Sequence, residues 1–443
     1  MLNLLICLYI VTFVGKSTRA MPLKEASRTK VIARVFLFMW YYFTNINKGF
    51  YMRCFGLILF FSFIAFSDTT YPKKDWETRS PESLGLSSEK VDRLLDASFE
   101  DNSTMGAVLI KNGYVVGERY AEGYNENSKG TSWSVAKSYY ASLIGIAIDK
   151  GEIESLDDKV SKYLPYFTED RADITIRQVL NMSSGLEYPD NQHENMFFEK
   201  DHLAYAKTIK RDKEPDSRFE YNNVNSMLLS DILLRATGTS AKALLKDRVM
   251  DPIGVSEYTS WTDNAGNSLS YCCLDMSARN YARFGLLFSR NGKWEDQQLI
   301  SEDFVNETFQ QVWDLPPANG YQTERGYSMH WWISRFDDER KIFNASGKFG
   351  QYIFVDREKD VVFVRITKYT PPAGDKQDLG FLYGLSFLGM DNVIALARLL
   401  IEWGWLNSSG DIISPATLEE GVSKEFIVNY HNIIDYLTFL EDE

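Results

Sequence analysis

From Ala141 through Leu143, Ile144, Ile146, Ala147 and Ile148 the chain is so rarely interrupted by polar residues that a helix drawn through it is apolar over most of its surface. Such a helix has no broad face to give to water and must be packed in the centre of a domain. Gly151 is placed to end it. At its head stands Ser134-Val135-Ala136-Lys137. A serine and a lysine three residues apart on a helix share a face, one turn from each other. The N-terminus of a buried helix also offers backbone N–H groups and the positive end of its dipole to an alkoxide or oxyanion. A serine hydroxyl is a poor nucleophile at neutral pH, and a lysine whose pKa is lowered by burial can take its proton. The plainer reading makes Ser134 a helix cap and Lys137 a surface residue. The same spacing recurs at Ser27 to Lys30 and Ser87 to Lys90, where no such helix follows.

A second polar group precedes another helix. Leu228, Leu229, Ile232, Leu233 and Ala236 recur at helical spacing before Gly238, and Asn225 reads as the N-cap. That assignment leaves Tyr221 and Asn223 in the preceding loop. A phenol there can relay a proton among the serine, the lysine and a leaving group, and an amide can orient a substrate carbonyl or the lysine. A tyrosine packed ahead of a helix is the ordinary alternative for each taken alone.

Ser134-x-x-Lys137, then Tyr221-x-Asn223 about 87 residues on, then the late motif Ala345-Ser346-Gly347, together resemble the penicillin-recognising serine hydrolases. The stretches Thr131 to Lys137, Asp173 to Gly185 and Met276 to Gly285 resemble the branch that holds class C β-lactamases, DD-peptidases, carboxylesterases and 6-aminohexanoate-dimer hydrolases. The likeness spans roughly residues 82–406. It implies a serine hydrolase working through a Ser134 acyl-enzyme on a small ester or linear amide, with no cofactor. Ser134, Lys137 and Tyr221 would be catalytic, and whether Lys137 or Tyr221 is the base stays open. Asn223, Gly347 and the Lys348 N–H would hold substrate or oxyanion. Tyr188 lies where the nylon-oligomer hydrolases have a substrate-contacting tyrosine, and core packing is an equal reading for it.

The third motif departs from the β-lactamase Lys-Thr-Gly, whose cation holds the substrate carboxylate. Two registers fit, Ala345-Ser346-Gly347 followed by the Lys348 N–H, or Lys348-Phe349-Gly350. The first is preferred, because Ala-x-Gly-x-x-Gly-Gln followed by a strand resembles the 6-aminohexanoate-dimer hydrolases. It removes the fixed cation, which disfavours β-lactam turnover. A DD-peptidase or β-lactamase activity, or a non-catalytic binding protein of the same fold, remain the alternatives. A Ser-His-Asp hydrolase is disfavoured, since no Gly-x-Ser-x-Gly elbow occurs.

With 443 residues, 44% of them hydrophobic, the chain can bury a sizeable core. Its formal charge of -13 and the lack of any Lys/Arg-rich run argue against nucleic acid. The four cysteines make no disulfide framework. Cys7 and Cys54 lie in apolar N-terminal segments, and the adjacent Cys272 and Cys273 are expected not to form an ordinary unstrained bridge. His193, His202, His330 and His431 show no metal-ligand spacing.

The expected organisation has three parts. Residues 1–75 hold the apolar stretches Leu2 to Val14, Val35 to Phe43 and Cys54 to Phe66, each short of the roughly 20 residues that a spanning helix needs. Met52 to Ser67 has the layout of an export signal ending near Asp68, and a membrane anchor is the rival. Residues 76–407 are the hydrolase domain, opened by a charged linker from Tyr71 to Glu82. Residues 408–443 are an acidic extension. The fold expected is an α/β (α+β) domain of β-lactamase/transpeptidase type. Its antiparallel sheet would come from both chain ends: a hairpin from Met105 to Tyr120 turning at Asn112-Gly113, and strands Gln351 to Val355 and Val361 to Ile366. Helices including Asp391 to Trp405 would flank it, with a helical region inserted between.

Overall fold

Asn112 and Gly113 take φ of +52° and +83°, the two left-handed residues that a tight hairpin turn requires, and fold β1 (Thr104–Lys111) onto β2 (Tyr114–Tyr120). The structure is a computed structural model. It describes residues 70–189, 192–197, 199–317, 325–335, 341–368 and 424–441, with isolated positions between 369 and 423. The expected N-terminal apolar stretches, the cleavage site near Asp68 and most of the expected helix from Asp391 to Trp405 lie outside the described residues.

β1 pairs antiparallel with β13 (Val361–Thr367), so that the first and last strands in chain order, apart from the hairpin partner β2, lie side by side near one edge of the sheet. Beyond β13 come β12 (Gln351–Asp356), β11 (Lys341–Gly347), β10 (Trp331–Arg335), β9 (Arg325–Ser328) and β8 (Trp313–Leu315). The order is β2-β1-β13-β12-β11-β10-β9-β8, antiparallel throughout. The chain between β2 and β8 carries the helical region and two small sheets. One is β3 (Lys129–Thr131), β5 (Leu274–Ser277) and β4 (Thr259–Ser260), and the other is β6 (Lys293–Trp294) with β7 (Gln297–Gln298). The antiparallel sheet with an inserted helical region is the architecture that the resemblance implied.

Period-two alternation divides the apolar side chains of the central strands between two cores. On one face Ala107, Leu109, Phe354 and Phe363 pack against Val91, Leu94 and Leu95 of α1 (Ser88–Phe99) and against Tyr430, Ile433, Ile434 and Leu437 of α5 (Lys424–Thr438). On the other face Val108, Ile110, Ile353 and Val364 join the larger core with α2 (Ala136–Asp149), α3 (Asn223–Thr237) and α4 (Ala278–Ser289). Every residue of α2 from Ala136 to Ala147 is buried, as its all-round apolar sequence requires. Among the described residues no helix is long and apolar enough to cross a membrane.

Three expectations change. The stretch from Tyr71 to Glu82 is no free linker. Trp76 is buried with its Nε1 donating to the Arg279 carbonyl at 3.2 Å, Val115 N donates to Glu77 O at 2.9 Å, and the Arg283 guanidinium holds the carbonyls of Pro72, Lys73 and Lys74. The cap of α3 is Asn222, whose side chain accepts from Val224 N at 2.9 Å, so Asn223 opens the helix and Asn225 lies inside it. There Asn225 Oδ1 accepts from Ser184 Oγ at 2.6 Å. Finally, Cys272 and Cys273 are bonded to each other, S–S 2.07 Å. The bridge is not an ordinary one, since Cys273 takes a φ of +105° within it.

Candidate functional site

A single short helical turn, Trp133–Val135, delivers Ser134 to the head of α2. Trp133 is held at φ +47°, a left-handed conformation uncommon for a bulky residue, and so turns the chain sharply just before Ser134. One turn later Lys137 is 1% exposed, with Nζ 2.8 Å from Ser134 Oγ and 2.7 Å from the Tyr271 carbonyl. Burial drives the lysine pKa well below its ordinary value. The faces of Tyr221 and Tyr271, at 5.1 and 5.8 Å from Nζ, favour the ammonium by about 0.5–2 kcal/mol each. Among the described residues no carboxylate pairs with Lys137 to offset the loss of water, so desolvation prevails. The amine donates to the Tyr271 carbonyl and to Ser134 Oγ, and once deprotonated it would have a lone pair with which to accept from the serine hydroxyl instead.

By contrast, the tetrapeptide at Ser87 to Lys90 is a helix cap. Ser87 Oγ accepts from Lys90 N at 3.5 Å, and Lys90 Nζ reaches out to the Glu441 carbonyl. The sequence at Ser27 to Lys30 lies outside the described residues.

Tyr221 comes in from the residue before the α3 cap. Burial raises its phenol pKa above the usual value, while a hydrogen bond with Ser134 opposes the rise. Its ring stacks on Trp332, centroids 5.5 Å apart, and meets Tyr327 edge-on at 6.1 Å. Tyr188 stands near enough to act electrostatically on Tyr221 and is 36% exposed. Asn223 is 9% exposed in the first turn of α3.

β11 closes the arrangement from the sheet. Its last residue, Gly347, abuts the serine turn so closely that a Cβ there would stand 2.2 Å from the Ser132 carbonyl oxygen. Gly350 faces elsewhere, since its Cβ would meet Arg365 and Phe426. The strand-end glycine at the serine is therefore that of Ala345-Ser346-Gly347. Ala345 is fully buried in the core shared with α2. Lys348 follows Gly347 directly and lies with Nζ 5.3 Å from the Phe349 ring. The rings of Phe349 and Phe197 flank Trp133 at 4.9 and 6.2 Å. Ser134, Lys137, Tyr221 and Gly347 thus converge, Asn223 and Lys348 adjoin them in sequence, and Tyr188 is at the exposed side.

The β-lactamase family model matches residues 91–385, about two thirds of the chain. The chain belongs to the β-lactamase family. It is 22% identical over 301 residues to the 6-aminohexanoate-dimer hydrolase of Paenarthrobacter ureafaciens, covering 63% of this chain and 76% of that one. It is also 22% identical over 303 residues to β-lactamase-like protein 2 of Dictyostelium discoideum, covering 62% of this chain and 51% of that one. Among solved structures, a Bacillus anthracis protein assigned as a 6-aminohexanoate-dimer hydrolase superposes with a TM-score of 0.55 at 23% identity, covering 74% of this chain and 88% of that one. A family VIII carboxylesterase does so with a TM-score of 0.52 at 16% identity, covering 64% and 92%. These likenesses establish the β-lactamase/transpeptidase fold.

In this member of the family several residues at the site carry no motif. The Tyr271 carbonyl is a backbone group, which any residue supplies, so nothing in the sequence could mark it as the partner of Lys137. Ser132 is clamped from both sides by Leu274: its N donates to the Leu274 carbonyl at 2.7 Å and its Oγ accepts from Leu274 N at 2.8 Å. Asp275 is buried between Thr131 Oγ1 at 2.7 Å and Trp261 Nε1 at 2.6 Å, and burial lifts its carboxyl to about 6. His330 is buried with Nε2 3.1 Å from Ser226 Oγ, and burial above all holds it at about 3. Among the described residues no group of three His, Cys, Asp or Glu is placed to hold a metal ion.

Proposed function

We propose that the protein is a serine hydrolase that cleaves a small ester or linear amide through a Ser134 acyl-enzyme, in the manner of the esterases and 6-aminohexanoate-dimer hydrolases it resembles. The observation that carries this reading is the buried Lys137 amine 2.8 Å from Ser134 Oγ with no carboxylate partner among the described residues. A neutral lysine takes the serine proton as Oγ attacks the carbonyl carbon, forming the tetrahedral intermediate. The N–H groups of Ser134 and Lys348, on either side of the Gly347 contact, stabilise its oxyanion. Tyr221, hydrogen-bonded to Ser134, passes the proton to the leaving group, and water then repeats the sequence on the acyl-enzyme. Asn223 and Tyr188 orient the substrate.

Ala345 favours esters and linear amides over β-lactams. A lysine at that position of the strand would hold a penicillin carboxylate, and forfeiting a charge-assisted hydrogen bond costs about 1.5–3 kcal/mol, or roughly one to two decades in affinity. Comparing kcat/KM for p-nitrophenyl butyrate and nitrocefin tests the substrate class. The ester is expected to be the better substrate, and a preference for the cephalosporin would overturn the assignment.

A further inference from the structure

The turn from Tyr271 to Leu274 touches both halves of the serine–lysine pair. At one end the Tyr271 carbonyl accepts from Lys137 Nζ at 2.7 Å, and the Tyr271 hydroxyl meets His202 Nδ1 at 2.9 Å. At the other end Leu274 holds Ser132, two residues before Ser134, through both its N–H and its carbonyl. That carbonyl also accepts from Tyr281 OH at 2.7 Å. Between these ends lie Cys272 and Cys273, 4% and 0% exposed and bonded to each other. The bond closes a small ring around their shared peptide and ties the backbone there to one arrangement. Cys273 sits at φ +105°, a region that a residue with a side chain leaves unless its surroundings hold it. With the ring open, Cys273 would be free to leave that region, and a rotation there would shift Tyr271 and Leu274, the partners of Lys137 and Ser132, relative to each other.

We propose that the Cys272–Cys273 bridge is a redox-sensitive clamp on the serine–lysine pair, and that its reduction to two thiols lowers turnover. This rests on the reading of Ser134 and Lys137 given above. Neither sulfur is a hydrogen-bond partner of Ser134 or Lys137, so the cysteines are positioning residues. The reductant is a small dithiol. Its thiolate attacks one sulfur, the S–S bond breaks and a mixed disulfide forms. The reagent's second thiol then displaces the protein sulfur and leaves as a cyclic disulfide, so that two electrons and two protons pass to Cys272 and Cys273. Such a bridge persists in oxidising compartments and opens in reducing ones. The clamp would therefore link full activity to export, the fate that the Met52 to Ser67 layout suggests.

The test compares the oxidised full chain with the same protein reduced by dithiothreitol in low urea and returned to native buffer, the state of the pair being read by alkylation and peptide mass. Reduction is expected to lower kcat about tenfold or more and to leave KM within about threefold, because the reacting groups are displaced while the substrate cleft remains. The acid limb of the pH–rate profile should shift as Lys137 loses its carbonyl partner, which a bridge that merely stabilised the fold would not cause. Reoxidation by glutathione disulfide should restore the rate. The Cys272→Ser/Cys273→Ser variant should show the same losses with no further response to reductant, and a native bridge that the treatment leaves intact would overturn its redox sensitivity. Two alkylatable thiols at this pair in the untreated protein, an unchanged kcat once reduction is confirmed by mass, or no recovery once the bridge has re-formed would each overturn the proposal. Fluorophosphonate labelling separates the two readings. Equal rates in both redox states sink the clamp alone, while an oxidised protein that neither labels nor hydrolyses esters sinks the hydrolase reading.

Discussion

Replacing Gly347 by alanine adds one methyl group at the point where the sheet meets the serine turn. That methyl would stand 2.2 Å from the Ser132 carbonyl oxygen and 3.3 Å from its carbon, so about 1.2 Å has to be made up to reach the 3.4 Å of ordinary contact. No flexible side chain is available to yield at the closest approach, which is backbone. β11 is fixed by pairing to β12 up to Gly347↔Gln351, and Ser132 by its two hydrogen bonds to Leu274. The displacement must therefore be shared with the turn that carries Ser134. Overpacking of this kind costs about 1–3 kcal/mol in stability. A misplacement of about 1 Å between reacting groups costs on the order of a hundredfold in rate. Gly347→Ala is thus expected to lose about two decades of kcat/KM on p-nitrophenyl butyrate while melting only a few degrees lower. Gly123→Ala is the comparison. Gly123 sits at φ +83° with no atom within 4 Å of a Cβ, so its replacement strains a turn without pressing on the serine. Its cost should appear in the melting temperature and not in the rate. A folded Gly347→Ala protein within threefold of the parent activity would refute the claim that this contact sets the position of Ser134.

Because burial lowers the Lys137 pKa, activity should rise with pH along an ionisation well below that of free lysine, and Lys137→Met should abolish it; a Lys137→Met protein that keeps the same acid limb would remove the lysine from the mechanism. Below the unfolded lysine pKa the unfolded chain holds a proton at Lys137 that the folded chain resists, so this group's burial costs stability that is regained as pH rises, and Lys137→Met should melt higher at neutral pH while being inactive. His202 is held neutral by burial down to about 4, so the unfolded state gains a proton first as pH falls through 6.5, and stability should be lost between 6.5 and 4 at roughly 1 kcal/mol per pH unit from this group. His202→Gln should flatten that part of the stability curve measured by urea unfolding, and an unchanged slope would contradict it.

The parts of the fold legible in the sequence are those with strong local signals. The Asn112-Gly113 turn, the apolar strands at Gln351 and Val361 and the all-round apolar α2 each state one structure, and the structure holds all of them. Asn222 and Asn225 are equally good caps by type, so residue type alone does not fix the boundary of α3. Tertiary packing chose Asn222 by giving the Asn225 side chain to Ser184. The Tyr71 to Glu82 stretch read as a linker because its lysines and glutamates look solvated. Besides the buried Trp76, the groups that fix it are backbone carbonyls taken by Arg283, which the sequence does not reveal. At the site, Ser134 and Lys137 were visible through spacing. Tyr271 and Ser132 were not, since one acts through its carbonyl and the other through contacts with a turn more than a hundred residues away.

The central proposal is that Ser134, alone among the serines of the described residues, is made nucleophilic by a buried amine. Fluorophosphonate labelling followed by peptide mapping tests it most directly. One equivalent of adduct is expected on Ser134, lost in Ser134→Ala and slowed by orders of magnitude in Lys137→Ala, with ester turnover falling in parallel. An adduct on a different serine, or a Ser134→Ala protein that hydrolyses p-nitrophenyl butyrate at the parent rate, would contradict it.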